Sequence, residues 1–133
     1  MEIALAYRAQ AALALHGQEL FPTHGPRNGR LGVEVIDAGV AADVRTFVVV
    51  LPWGLEGLIF VPDERFPTSL LLGGRRLRIF RHDLEELGSF RTVELVDNVT
   101  PLASPHHARK VANLIAPSFR EAAARARREL FGA

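Results

Sequence analysis

The chain has 133 residues, of which 48% are hydrophobic, and a formal net charge of +1. This length supports one substantial hydrophobic core but not two, so we expect a single domain over residues 1–133. The absence of cysteine excludes disulfides, thiolate metal ligands and a cysteine nucleophile. No apolar run is long enough for a membrane helix, and no basic segment opens the chain, so we expect a cytoplasmic protein without membrane insertion.

The N-terminal segment is rich in strong helix formers. Residues 2–16 therefore predict a helix, and Gly17 is placed to end it. Proline, glycine and asparagine recur between residues 21 and 30, which predicts a loop with a turn at Asn28-Gly29.

The most apolar stretch, residues 47–62, contains the single tryptophan. A run that overlaps its start, residues 44–51, is rich in β-branched residues and predicts a strand, which Pro52 should end because proline cannot donate to the ladder. A second apolar run, residues 58–61, predicts the next strand. From Phe47 onward both alternating faces of the first strand are apolar, so we expect cover on both sides, by helices or by a partner.

Further strand patterns flank this pair. They comprise a strand from about Leu31, a short one at residues 70–72, one at residues 75–81 after the turn Gly73-Gly74, and one at residues 90–96. Residues 83–88 are compatible with one helical turn or a wide loop. The sequence predicts a sheet of about five strands over residues 31–97.

The C-terminal segment, residues 105–130, predicts a second helix. Ser104 suits the N-cap and Pro105 the first helical position. Pro117 should kink or restart the helix, because it lacks an N–H group. A helix, a run of strands and a helix indicate an α+β fold, with an antiparallel meander sheet on which both helices pack.

The histidines and serines do not form a recognisable active site. His106 and His107 point about 100° apart on a helix, which does not suit one metal ion. His24 and His82 are expected in loops without a partner at helical spacing. None of the serines lies in a Gly-x-Ser-x-Gly motif. We therefore expect no enzyme activity, no cofactor and no metal site.

One strand face combines basic and aromatic residues. Alternation places Arg76, Arg78 and Phe80 outward, an arrangement that can bind an acidic protein or single-stranded nucleic acid. The alternative is an ordinary solvated face on which arginine discourages aggregation. Such binding would extend to an arginine cluster of the C-terminal helix, Arg125, Arg127 and Arg128. Nucleic acid is the less favoured partner, because the net charge is near zero.

The Pro-Trp turn offers a second candidate binding surface. A rigid turn that exposes Trp53 and Leu55 beside Pro52 could anchor a partner protein, with Phe60 and Pro62 extending the apolar patch. Alternatively, Trp53 folds back to close the end of the core.

The order of these motifs resembles that of a known family. Residues 48–55, followed by the strand at residues 58–62 that ends in proline, are similar to the signature strand pair of the HybE/HupJ-type nickel–iron hydrogenase assembly chaperones. Leu51 stands where that family has threonine, and Gly54 replaces a bulky residue. Further similar segments follow the same order: residues 31–34, Phe66-Pro67, residues 87–90, Thr100-Pro101-Leu102 and residues 108–114.

The resemblance implies a non-catalytic cytoplasmic chaperone that binds an immature hydrogenase subunit, large or small, during assembly. It leaves open whether the chain forms a homodimer. The competing interpretation is a small binding module for an acidic protein or single-stranded nucleic acid that uses Arg76, Arg78 and Phe80.

Overall fold

The computed structural model describes residues 2–21 and 26–131. Its elements are, in chain order, α1 (Glu2–Leu20), β1 (Glu34–Ala41), β2 (Val44–Leu51), β3 (Gly54–Phe60), β4 (Ser69–Leu72), β5 (Arg75–Leu84), β6 (Gly88–Val96) and α2 (Pro105–Leu130). Within the described residues, neither helix is long and apolar enough to span a membrane.

The strands form one six-stranded sheet in the order β1-β2-β3-β6-β5-β4, and all paired neighbours are antiparallel. The α+β class is confirmed, with one strand more than the expected five or so. A simple meander would place β4 beside β3, but β6 occupies that position. The residues of β6 from Phe90 to Val93 are all buried, which suits an interior strand, whereas β4 is short and partly exposed, which suits an edge.

The two helices cover opposite faces of the sheet, as the two apolar faces of β2 predicted. Phe47, Val49 and Leu51 lie in the core beneath α1. The alternate residues Val48 and Val50 lie in the core beneath α2. The protein therefore has three layers, with β2 buried on both sides by its own helices.

α1 continues past the end that the sequence predicted. It runs to Leu20, and the amide of Phe21 donates to the carbonyl of Gly17 at 3.0 Å. A Cβ atom on Gly17 would lie 3.9 Å from both Leu51 and Trp53, an ordinary van der Waals distance, so this glycine lies inside the helix where α1 packs on the sheet and does not end it. Residues 22–25 of the predicted loop, including His24, lie outside the described residues.

α2 is one continuous helix, so the restart expected at Pro117 does not occur. Ser104 is the N-cap, as predicted, and its hydroxyl accepts a hydrogen bond from the amide of His107 at 3.1 Å. The helix packs closely because most of its buried side chains are alanine. Phe119 is the large apolar exception, and it lies directly over Gly57 of β3, where a Cβ atom would overlap the phenyl ring.

The structure defines the geometry of two hairpin turns in the sheet. Gly73 and Gly74 have φ of 58° and 77°, which is the type I′ geometry expected for two glycines. Residues 83–88 form neither a helical turn nor a wide loop. β5 extends to Leu84, which pairs with Gly88, and Gly88 has a φ of 74° that closes a short hairpin. β1 starts at Glu34 rather than near Leu31.

Candidate partner-binding site

The Pro-Trp turn is fixed to the interior by Asn28. Pro52 and Trp53 form the two-residue connection between the paired residues Leu51 and Gly54. The carbonyl of Pro52 accepts a hydrogen bond from the amide of Asn28 at 2.6 Å. The side-chain amide of the buried Asn28 donates in turn to the carbonyls of Val99 and Leu102, both at 2.9 Å. This asparagine thus joins the turn to the segment that precedes α2.

The structure contradicts the hypothesis that this turn presents an exposed anchor. Only 8% of Trp53 and none of Leu55 is exposed, and Pro52 is buried as well. The guanidinium of Arg27 lies 5.1 Å from the centre of the Trp53 ring, a cation–π distance. Trp53 is a core residue beneath α1, which agrees with the alternative interpretation of the sequence.

The other two apolar residues of that predicted patch are separated. Phe60 is half-buried in a row of aromatic side chains, 5.7 Å from the ring of Phe90 and 5.9 Å from that of Phe47. Pro62 is exposed in the connection between β3 and β4. These residues therefore do not form a continuous surface with Trp53.

The outward face of the β4–β5 hairpin does present an exposed cluster. Arg76, Arg78 and Phe80 lie on one face of β5, as predicted, and are exposed. The guanidinium of Arg78 lies 4.9 Å from the centre of the Phe80 ring. The register pairs Leu71 with Arg76 and Ser69 with Arg78, and directly opposite residues share a face. We call this set of five residues, Ser69, Leu71, Arg76, Arg78 and Phe80, the hairpin face.

Leu71 is the apolar member of the hairpin face that sequence reasoning missed. It is 45% exposed, and Phe80 is 44% exposed, so the face combines apolar and basic groups. A two-residue turn at Gly73-Gly74 fixes the register by itself, because it places Leu72 opposite Arg75 and hence Leu71 opposite Arg76. That signal was available in the sequence.

The C-terminal arginine cluster is not a single surface. Arg125 and Arg128 are exposed, but only 3% of Arg127 is. Arg127 forms ion pairs with Asp43 at 2.8 Å and Asp63 at 2.7 Å. Partial burial raises the pKa of Asp63, but hydrogen bonds from Arg127 and Arg65 outweigh that effect and lower it to about 2. Arg127 is therefore an internal ionic link and does not contribute to a basic surface.

Two ionisable side chains lie on the face of the sheet that α1 covers. Glu56 is 2% exposed, and burial, together with the charge of the opposite Glu94, raises its pKa to about 8. His82 belongs to β5 rather than to a loop, and its Nε2 lies 2.9 Å from the hydroxyl of Thr92. Burial lowers the pKa of His82 despite the nearby charge of Asp83. Across residues 2–21 and 26–131, no three acidic or histidine side chains gather in a metal-binding arrangement.

Comparison with protein-family models, curated proteins and solved structures finds no match for this chain. The family resemblance therefore rests on the sequence motifs alone.

Proposed function

We propose that this chain is a non-catalytic accessory protein that binds an immature nickel–iron hydrogenase subunit in the cytoplasm through the hairpin face. The observation that carries the binding role is the exposure of Leu71 and Phe80 beside Arg76 and Arg78 on the β4–β5 hairpin. The identity of the client follows from the family resemblance of the strand pair around Pro52-Trp53.

Several properties of the hairpin face suit protein binding. The type I′ turn and the pairing of β5 with both β4 and β6 hold these side chains in place, which lowers the entropy lost on binding. Leu71 and Phe80 supply apolar area, and the two arginines favour an acidic rim on the client. In this proposal the Pro-Trp motif stabilises the scaffold and does not contact the client.

Single-stranded nucleic acid is the second candidate partner for the same face. The stacking of Arg78 over Phe80 supports it, because bases stack on aromatic and guanidinium groups. Tight binding of an oligonucleotide at physiological ionic strength, with an affinity that falls steeply as salt is added, would favour this candidate over a protein client.

The proposal is tested by measuring binding to the purified precursors of the large and small hydrogenase subunits. We expect one precursor to bind, and Phe80→Ala to weaken that binding roughly 30-fold, as for an interface hot spot worth about 2 kcal/mol. Leu114→Ala is the matched control, because Leu114 is 78% exposed on the distant surface of α2. Binding of neither precursor, or equal affinities for the two variants, would contradict the proposal.

A further inference from the structure

The two edges of the sheet differ in how they are protected. At the β1 edge, the side chain of Gln10 in α1 accepts the amide hydrogen of Val35 at 3.0 Å. The register of the same strand shifts between Asp37 and Gly39, and the carboxylate of Asp37 accepts from the Gly39 amide at 2.7 Å. A side-chain cap and a bulge both discourage addition of another strand. β4 forms the opposite edge of the sheet.

The hairpin register shows which backbone groups of β4 point away from β5. The amide of Ile79 donates to the carbonyl of Thr68 at 2.9 Å, which makes this a hydrogen-bonded pair. Hydrogen-bonded and non-hydrogen-bonded pairs alternate along an antiparallel ladder. Leu70 and Leu72 therefore bond to β5, whereas the N–H and C=O groups of Ser69 and Leu71 point to the open edge.

A groove of about 380 Å³ adjoins this edge on the α2 side of the sheet. It is bounded by the end of the β4–β5 hairpin and by one side of α2, including Arg120, Glu121 and Arg125. Two arginines against one glutamate give the groove a net positive charge. The opposite side of β4 carries Ser69 and Leu71 of the hairpin face, so a strand added here would meet the arginines of α2 on one side and the exposed apolar side chain of Leu71 on the other.

We infer that β4 accepts an extended segment of a partner protein as a seventh strand, with acidic side chains towards α2 alternating with apolar side chains towards Leu71. Backbone pairing with Ser69 and Leu71 supplies the affinity, and the two unlike sides of the edge supply the sequence preference. This inference rests on the proposed function, because it specifies how the client contacts the hairpin face.

The probe is a blocked hexapeptide of alternating glutamate and valine, titrated into the ¹⁵N-labelled full chain. We expect the amide resonances of Ser69 and Leu71 to shift and their hydrogen exchange to slow. Two N-methylated peptides serve as controls, one methylated on every glutamate and the other on every valine. Because alternate amides of a strand point to opposite edges, one of these two should lose binding and the other should keep it.

Leu71→Pro tests the same contact from the protein side. The backbone N–H group that proline removes at this position points away from β5, so the β4–β5 ladder keeps its hydrogen bonds. The melting temperature should therefore stay near that of Leu71→Ala. We expect the proline variant to bind the unmethylated peptide at least tenfold more weakly than the alanine variant. If the proline variant fails to fold, the N-methylated peptides still decide the question.

These outcomes separate the inference from the proposed client. Peptide-induced shifts that map away from β4, or equal binding by the proline and alanine variants, would overturn the inference even if a hydrogenase precursor binds. If both N-methylated peptides still bind, the inference is overturned as well. Shifts at Ser69 and Leu71 without binding of either precursor would support the inference and contradict the proposed client.

Discussion

At the scale of single residues, Glu56 shows how the sheet can enclose an ionisable group. It points to the α1 side of β3, next to Leu58 along the strand and opposite Val49 and Glu94 on its two neighbours. Burial disfavours the carboxylate, and the charge of Glu94 disfavours it further, so the pKa rises to about 8. At neutral pH the folded protein therefore holds a proton that the unfolded chain releases.

We predict that this proton makes the free energy of unfolding depend on pH. An unfolded glutamate has a pKa of about 4.3, so stability should fall as the pH rises from there to about 8, by on the order of a few kcal/mol, and then level off. Glu56→Gln should abolish this fall. Denaturant unfolding of both proteins from pH 5 to 9 measures the difference.

Other titrating groups are controlled in the same experiment. The lowered pKa of His82 has the opposite effect, because it adds stability as the pH rises towards 6.5. This contribution is present in both proteins and cancels in the difference between their stabilities. Glu94→Gln removes the repulsion and should end the fall at a lower pH. Parallel stability curves for the wild type and Glu56→Gln would disprove the prediction.

At the scale of elements, the packing of α2 depends on the absence of a side chain at Gly57. The ring of Phe119 occupies the space that a Cβ atom would need, and this ring is fully buried, so it has little room to move. One glycine in a strand thus determines how closely a 26-residue helix approaches the sheet.

We predict that Gly57→Ala destabilises the protein by about 1–3 kcal/mol through overpacking. Gly32→Ala is the matched control, because a Cβ atom there meets nothing within 4 Å, and it should change stability by less than about 0.5 kcal/mol. In a double-mutant cycle, the cost of Gly57→Ala should largely disappear when Phe119 is already alanine. A full cost in both backgrounds would show that the strain lies elsewhere.

At the scale of the whole molecule, Arg127 connects segments that are distant in sequence. From α2 it reaches Asp43 between β1 and β2, Asp63 after β3, and the carbonyl of Arg65 in the same connection. Its hydrogen bonds to Asp43 and Asp63 raise the pKa of the guanidinium, and its own contacts lower the pKa of both carboxyl groups. The connection that leads to the edge strand β4 is thereby held against α2.

We predict that Arg127→Ala lowers the free energy of unfolding by about 2 kcal/mol. This is below the roughly 3–5 kcal/mol typical of a broken buried pair, because both carboxylates are partly exposed and can be hydrated. The exposed Arg128→Ala should have little effect. Since the two aspartate pKa values are lowered, the wild type should lose this contribution as the pH falls from about 4 towards 2, and the variant should lack that loss. Chemical unfolding at pH 7 and acid titration measure both effects.

The candidate site was only partly predictable from sequence. Alternation along β5 predicted that Arg76 and Phe80 face outward, because a strand presents every second residue to the same side. Alternation along β2 likewise predicted cover on both faces. It could not predict whether Trp53 is exposed, since burial of a turn residue depends on what packs against it, and here that is Gly17 of α1.

The sequence by itself determined the α+β class, both helices, the hairpin turn at Gly73-Gly74 and the alternating faces of the strands, because these follow from local propensity and from periods of two or about four residues. The tertiary structure alone decided that β6 pairs with β3, that Phe119 lies over Gly57, and that Arg127 is buried between Asp43 and Asp63. Each of these contacts joins residues more than 30 positions apart. Periodicity carries no information about such pairs, because they are selected by how whole elements fit together in three dimensions.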